Sequence, residues 1–221
     1  MIRAPFKRNV PLSHVTRRNR QAAWYALASS AGVLYFSTAV VILHPLRPDV
    51  NPVTHAVSNY AVGPFGFLMT SAFFVLALSE FALAQGLVRG LARSRRARSS
   101  VVLLNLAAVG LVVTGVFHSD VNVPHPPASA SALLHWTGAG ISFLSLTISI
   151  FLLSGCFKDD ARWQSIYRLS YGWGAGIVLA LAVYGALAII DRTGIGERIY
   201  LATSILWLLF ASLQLRAIAL H

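Results

Sequence analysis

The chain has 221 residues, of which 56% are hydrophobic and only 11% are charged, and its mean hydropathy is +0.66. Soluble domains carry about a quarter charged residues, so this composition excludes an ordinary soluble domain and indicates a membrane protein. The formal net charge is +11, but Lys and Arg stand in short clusters between long apolar runs, which indicates membrane topology and not nucleic-acid binding. The single cysteine, Cys156, excludes an intramolecular disulfide.

The chain begins with a basic tail, residues 1–21, which holds six Lys or Arg residues and no acid. The apolar run that starts at Ala22 continues to Leu43, whereas the apolar core of a cleavable signal spans roughly 7–15 residues. We therefore expect an uncleaved first span. An Arg-rich, acid-poor start is also typical of mitochondrial transit peptides, so an organellar membrane is the alternative to the cell (inner) membrane.

Six apolar stretches are each long enough to cross about 30 Å of hydrocarbon at about 1.5 Å per residue. They lie near 22–44, 64–87, 100–117, 132–154, 169–190 and 199–219, and the third is the shortest. No linker suggests a second domain. The sequence therefore predicts an all-α integral membrane protein, a bundle of six transmembrane helices that forms a single domain over 22–219.

The distribution of basic residues predicts the orientation of this bundle. Of the 18 Lys and Arg residues, all but Arg47, Arg192 and Arg198 fall on the side of the amino terminus if the spans alternate. Short loops rich in Lys and Arg resist translocation, so both termini are predicted to be cytoplasmic. Aromatic residues are predicted at the two interfaces, with Trp24, Trp163 and Tyr167 on the inside and Tyr60, Trp136 and Tyr200 on the outside.

Two helix faces carry regularly spaced small or polar residues. On the fourth span a stripe steps by three and four residues, which predicts that it points into the bundle; its members are His135, Gly138, Ser142, Ser145 and Ser149. On the fifth span Gly172, Gly176 and Ala180 are four apart, which lets helix backbones approach closely. We interpret this second pattern as packing within the bundle, with dimerisation as the alternative.

Polar and ionisable residues are concentrated in the connections after the first and third spans and at the start of the last span. If the spans alternate, five of the seven histidines gather at one membrane face. We expect an outward-facing polar pocket that binds a lipid or another small molecule, in a binding or accessory role. The candidate pocket residues are His44, Arg47, Asp49, His55, Ser58, Tyr60, His118, Asp120, His135, Glu197 and Arg198.

A hydrolase is the second hypothesis for this face. His118, Asp120 and His135 are candidate zinc ligands, because imidazole and carboxylate bind zinc and an open position on the ion activates water. Ser58 is an alternative nucleophile, with His55 or His135 as its base and Asp49 or Asp120 behind that base. The catalytic candidates are Ser58, Asp120 and His135. The spacing matches no established zinc or nucleophile motif, and Ser58 could instead cap the second helix.

Glu80 lies inside the second span, where an ionisable group is costly and needs a partner or a polar cavity. Asn105 falls at a similar depth on the third span, so we expect a hydrogen bond between Glu80 and Asn105. The third functional hypothesis is a small proton-coupled transporter that uses Glu80. No internal repeat of the kind common in transporters is visible.

Short motifs along the chain resemble a known family. They are His44-x-x-Arg47-Pro48-Asp49-x-x-Pro52, Ser58-x-Tyr60-Ala61-x-Gly63 with Gly66, Phe117-x-x-Asp120, Leu134-His135, and Gly196-Glu197-Arg198 followed by Trp207. Over nearly its whole length the chain resembles the prokaryotic membrane family known as domain of unknown function 998. The resemblance implies a six-helix bundle and no established function. A more distant likeness to membrane hydrolases such as the alkaline ceramidases lacks their late His-x-x-x-His pair.

Overall fold

The computed structural model describes residues 16–121 and 128–220. Within these ranges it contains six long helices: α1 (Arg17–Leu46), α2 (Gly66–Gly90), α3 (Arg95–Val116), α4 (Ala130–Asp159), α5 (Tyr167–Ile189) and α6 (Thr193–Leu220). All six are long and apolar enough to cross a membrane, which confirms the predicted all-α architecture and number of spans. Most of the basic tail, and His125 of the third connection, lie outside the described residues.

Most helices extend beyond the apolar stretches that predicted them. Thr16, Ser94 and Ser129 precede α1, α3 and α4, and the side chain of each accepts a hydrogen bond from a backbone amide in the first turn. These caps satisfy amides that have no partner within the helix, so the helix can begin among polar residues before the hydrocarbon is reached. The third span is the shortest, as predicted.

The helices form a closed ring in which each contacts the next and α6 returns to contact α1. We call the end with the α1–α2, α3–α4 and α5–α6 connections the histidine end, because His44, His55, His118 and His135 lie there. The opposite end, with the start of α1, is the basic end. The contact between α4 and α5 is the least extensive between consecutive helices, and α5 is the least buried of the six.

The closest backbone contact in this ring joins α3 to α4. A Cβ added to Gly138 would lie 2.8 Å from the carbonyl oxygen of Gly110, and one added to Gly110 would lie 2.8 Å from the amide nitrogen of Ser142. The whole predicted stripe on α4, from His135 to Ser149, is buried. The prediction that this face points into the bundle is therefore confirmed.

The interpretation of the small-residue pattern on the fifth span as internal packing is wrong for its two glycines. Gly172 and Gly176 are exposed, and a Cβ added to either would meet nothing within 4 Å. Ala180 is buried, and the glycine of α5 that packs inside the bundle is Gly174, against the ring of Phe151. The four-residue spacing alone does not show which way a helix is rotated.

Three aromatic residues predicted at the membrane interfaces instead lie in the protein interior. Trp163, Tyr60 and Tyr200 are each fully buried, whereas Trp24 is 65% exposed. Trp163 stacks on Phe157 with ring centroids 4.4 Å apart, and its indole N–H donates to a backbone carbonyl at the end of α2. These rings form part of the core and not of an interfacial belt.

Candidate functional site

The α1–α2 connection, residues 47–65, folds around the buried side chain of Arg47. Its guanidinium donates two hydrogen bonds to the carboxylate of Asp49 and two to the carbonyl oxygens of Val62 and Pro64. The hydrogen bonds from Arg47 lower the pKa of Asp49 from its usual value. Gly63 adopts a φ of +87°, which favours glycine, and a Cβ there would lie 3.3 Å from the guanidinium. Arg47 and Asp49 therefore shape the connection.

Arg198, one turn into α6, ties the same connection to the last helix. Its guanidinium donates to the carbonyl oxygens of Pro52 and His55 and to the hydroxyl of Tyr60. Its Nε–H donates to Nε2 of His44 over 3.2 Å, and Nδ1 of His44 contacts a carbonyl within α1. Both nitrogens of His44 are thus engaged, and the Tyr60 hydroxyl is held by the same guanidinium.

Asp120 closes the α3–α4 connection at the next position around the histidine end. Its carboxylate accepts hydrogen bonds from the amides of Ala128 and Ser129 and from the Ser129 hydroxyl. The hydrogen bond from the Ser129 hydroxyl contributes most, and together with the two amides it lowers the pKa of Asp120. The carboxylate is therefore ionised at neutral pH. His118 joins the same connection through backbone hydrogen bonds with the hydroxyl of Ser131.

His135 links the fourth helix to the end of the third. Its Nδ1 lies 3.0 Å from the carbonyl oxygen of Thr114 and 2.8 Å from that of Phe117. Carbonyls only accept hydrogen bonds, so Nδ1 carries the proton and Nε2 is the acceptor nitrogen of the neutral ring. The side chain is 3% exposed.

A cavity of about 550 Å³ lies between α4 and α5, under the α1–α2 connection. Along α4 it runs from Ala132 to Leu144, or about 18 Å at 1.5 Å per residue, which is close to the depth of one leaflet. Its deep part is mostly apolar and is lined by Ala139, Gly140, Phe143, Leu144 and Leu181. Its part near the histidine end includes Thr54, Ser58, Asn59, Ser119, Asp120, His135, Thr193 and Glu197.

Four of the predicted pocket residues therefore line one cavity: Ser58, Asp120, His135 and Glu197. The other seven do not line it, and most of them hold the connections together. Sequence reasoning missed Trp136 and Tyr184, which also line the cavity. Tyr184 is a polar group within an otherwise apolar span, and that contrast was a signal that could have identified it.

Glu197 is one of the two described acidic residues that line this cavity. Its side chain is buried, with 7% of the residue exposed, and its Oε2 accepts a hydrogen bond from the amide of Val57. No ion pair with Glu197 is present among residues 16–121 and 128–220. The guanidinium of the neighbouring Arg198 donates to the α1–α2 connection and forms no ion pair with Glu197 in these ranges, although its positive charge acts on the Glu197 carboxyl, and Glu197 lines the cavity.

Comparison with known proteins places these residues in a family. The family model described as "Protein of unknown function (DUF998)" matches residues 30–214. This chain belongs to the DUF998 family. Searches of curated proteins and of solved structures return no match. The DUF998 match includes the second part of α1, all of α2 to α5, most of α6 and both connections that line the cavity, and it assigns no activity to them.

The zinc site predicted for this DUF998 protein is not formed. Within the described part of the chain, no three His, Cys, Asp or Glu residues are placed to hold a metal ion. The carboxylate of Asp120 accepts hydrogen bonds from the backbone amides of residues 128 and 129. The Nδ1–H of His135 donates to the carbonyl oxygens of Thr114, in α3, and of Phe117, just after α3. His118, Asp120 and His135 are thus not placed together as a ligand set in the described residues, and the side chains of Asp120 and His135 are hydrogen-bonded elsewhere.

The serine-nucleophile arrangement also lacks its contacts. No hydrogen bond joins Ser58 to His55 or His135 in the ranges that the structure covers; Nδ1 of His55 contacts Thr54 instead. The alternative role of Ser58 as a helix cap is wrong as well, because Ser58 lies inside a short 3₁₀ helix, Val57–Ala61, and α2 begins only at Gly66. Ser58 is a cavity-lining hydroxyl.

The predicted hydrogen bond between Glu80 and Asn105 is absent. Oε2 of Glu80 and Oδ1 of Asn105 are both buried, and neither has a partner among the described residues. Glu80 is 1% exposed and does not line the α4–α5 cavity. Its neighbours one turn away on α2, Leu76 and Leu83, are buried and apolar, so no polar route along α2 leads to this carboxyl.

Proposed function

We propose that this protein binds an amphipathic, lipid-like molecule in the cavity between α4 and α5. The observation that carries this proposal is the division of the cavity lining, which is polar at the histidine end and mostly apolar deeper in the bundle. A cavity of about 550 Å³ lies within the usual range for small-molecule sites. The polar group would lie near Ser58 and Glu197, and the apolar chain beside α4.

The position of the cavity supports access from the bilayer. It follows the least extensive contact between consecutive helices, and Leu144 in its lining is 56% exposed. A ligand could enter sideways between α4 and α5 without breaking the close contact between α3 and α4. With the histidine end facing out of the cell membrane, as the basic residues favour, the ligand would come from the outer leaflet. A binding or accessory role follows.

Photolabelling with a neutral probe tests this proposal. The probe is a long-chain alcohol with a diazirine in its alkyl chain, and the labelled residues are mapped by mass spectrometry. We expect saturable labelling at 139–144 and near Leu181 in the wild-type protein. Gly140→Phe should reduce this labelling at least about tenfold, because its side chain enters the cavity from a position with open space around it.

The matched control is Gly176→Phe. Gly176 also lies on a membrane helix with nothing within 4 Å of an added Cβ, but it is outside the cavity lining. This variant should be labelled like the wild type. Equal labelling of Gly140→Phe and wild type, or labels confined to other helices, would show that the cavity is not the binding site.

A further inference from the structure

We infer that the polar group of the ligand is a positively charged amine, held by the carboxylate of Glu197. This inference rests on the proposed function, since it names the chemistry of the molecule in the same cavity. It begins from the charge of the lining. Among the residues that the structure describes, two carboxylates, Asp120 and Glu197, contribute to the cavity lining, and no Lys or Arg does.

The two carboxylates differ in how many of their hydrogen-bonding positions are already occupied by the protein. Asp120 is occupied by three hydrogen bonds from residues 128 and 129. Glu197 receives one hydrogen bond, at Oε2 from the amide of Val57, and no ion pair in the described ranges. A buried carboxylate is costly unless a charged or hydrogen-bonding partner balances it. The ammonium group of a ligand supplies that partner.

The other polar groups of the lining favour a hydrogen-bond donor. His135 uses its Nδ1 proton on α3, which leaves Nε2 as an acceptor, and Ser58 and Thr54 add hydroxyl oxygens. Trp136 and Tyr184 also line the cavity, and aromatic rings attract cations that lie over their faces. In the described part of the lining an anionic head would meet two carboxylates and no Lys or Arg, so the lining selects against a carboxylate or phosphate head.

The decisive experiment compares three diazirine probes with the same alkyl chain and an ammonium, hydroxyl or carboxylate head. In the wild-type protein we expect the ammonium probe to label the cavity at concentrations about tenfold lower than the carboxylate probe. Glu197→Gln should reduce the ratio of ammonium to hydroxyl labelling about tenfold. Its amide oxygen can still accept the Val57 hydrogen bond, and thermal unfolding in detergent checks that the variant is folded.

Two controls separate the outcomes. The first is Gly176→Phe, which lies outside the cavity and should keep the wild-type ratio. The second is competition with unlabelled phosphatidylethanolamine or with an unlabelled alkylamine, which shows whether the amine belongs to a phospholipid or to a single-chain molecule. If neither unlabelled compound competes with the ammonium probe, the inference is overturned. Equal labelling by the carboxylate probe, or an unchanged ratio in Glu197→Gln, also overturns it. If the inference is overturned but the hydroxyl probe still labels the cavity, the proposed function stands. If the hydroxyl probe does not label the cavity of the wild-type protein, both the proposed function and the inference are contradicted.

Discussion

Single polar residues at the histidine end hold the connections together, and some of them, such as Asp120 and Glu197, also line the cavity. Arg47 and Arg198 together bond four carbonyl oxygens of the α1–α2 connection. A backbone that leaves a helix within a membrane protein must satisfy its polar groups locally, and guanidinium groups with several donors do so efficiently. Glu197, adjacent to Arg198, also bonds this connection, because it accepts a hydrogen bond from the amide of Val57, and in addition it lines the cavity.

A substitution of Glu80 tests whether its buried carboxyl lacks a partner. Glu80→Leu should raise the free energy of unfolding by about 1–3 kcal/mol, because it removes a buried carboxyl oxygen that has no partner among the described residues. Thermal unfolding in detergent measures the change, with Glu80→Gln as a control that retains polarity and size. A lower melting temperature for Glu80→Leu than for Glu80→Gln would show that the carboxyl has a stabilising partner and would revive the transporter hypothesis.

The distance between neighbouring helices differs strongly from one pair to another in this bundle. Gly110 and Gly138 bring the backbones of α3 and α4 into direct contact, whereas α5 exposes Gly172 and Gly176. Association of helices in lipid depends on close packing, since lipid chains are as apolar as the side chains they replace. One wall of the cavity is therefore α4, which packs closely against α3, and the other is α5, which contacts its neighbours least.

Substitution of glycine by leucine on these two helices tests the difference. Gly138→Leu should lower the free energy of unfolding by about 1–3 kcal/mol, because its Cβ would meet the backbone of α3 at 2.8–3.0 Å. Gly172→Leu, with open space around it, should change stability by no more than about 0.5 kcal/mol. Chemical or thermal unfolding in detergent compares the two variants. Similar losses in both would contradict the assigned rotation of α5.

The whole molecule is a ring with one loose contact and a marked difference between its ends. Basic residues surround the end that contains the start of α1, and the histidine end carries the polar part of the cavity. An odd number of crossings would separate the two chain ends, whereas six helices in alternation return them to the same side. The orientation of this ring would determine which leaflet supplies the ligand that we propose.

Cysteine accessibility tests that orientation. Cys156, the single native cysteine, is 6% exposed and can be replaced by serine to provide a background without thiols. On this background Asn51→Cys, at the histidine end, should react with a membrane-impermeant maleimide in intact cells. Arg93→Cys, at the basic end, should react only after permeabilisation. Both positions are exposed, so the opposite pattern of labelling would reverse the proposed topology.

The number of helices, the burial of the α4 stripe and the concentration of polar groups at one end follow from the sequence alone. These properties depend on the length of apolar runs and on helical periodicity, both of which are local along the chain. Sequence also indicated Ser58, Asp120, His135 and Glu197, but among eleven candidates that it could not rank. Only the tertiary structure showed that these four line one cavity and that His44, Arg47 and Arg198 do not. Which polar side chains reach the cavity is set by the rotation and spacing of helices distant in sequence, and these cannot be read from local periodicity.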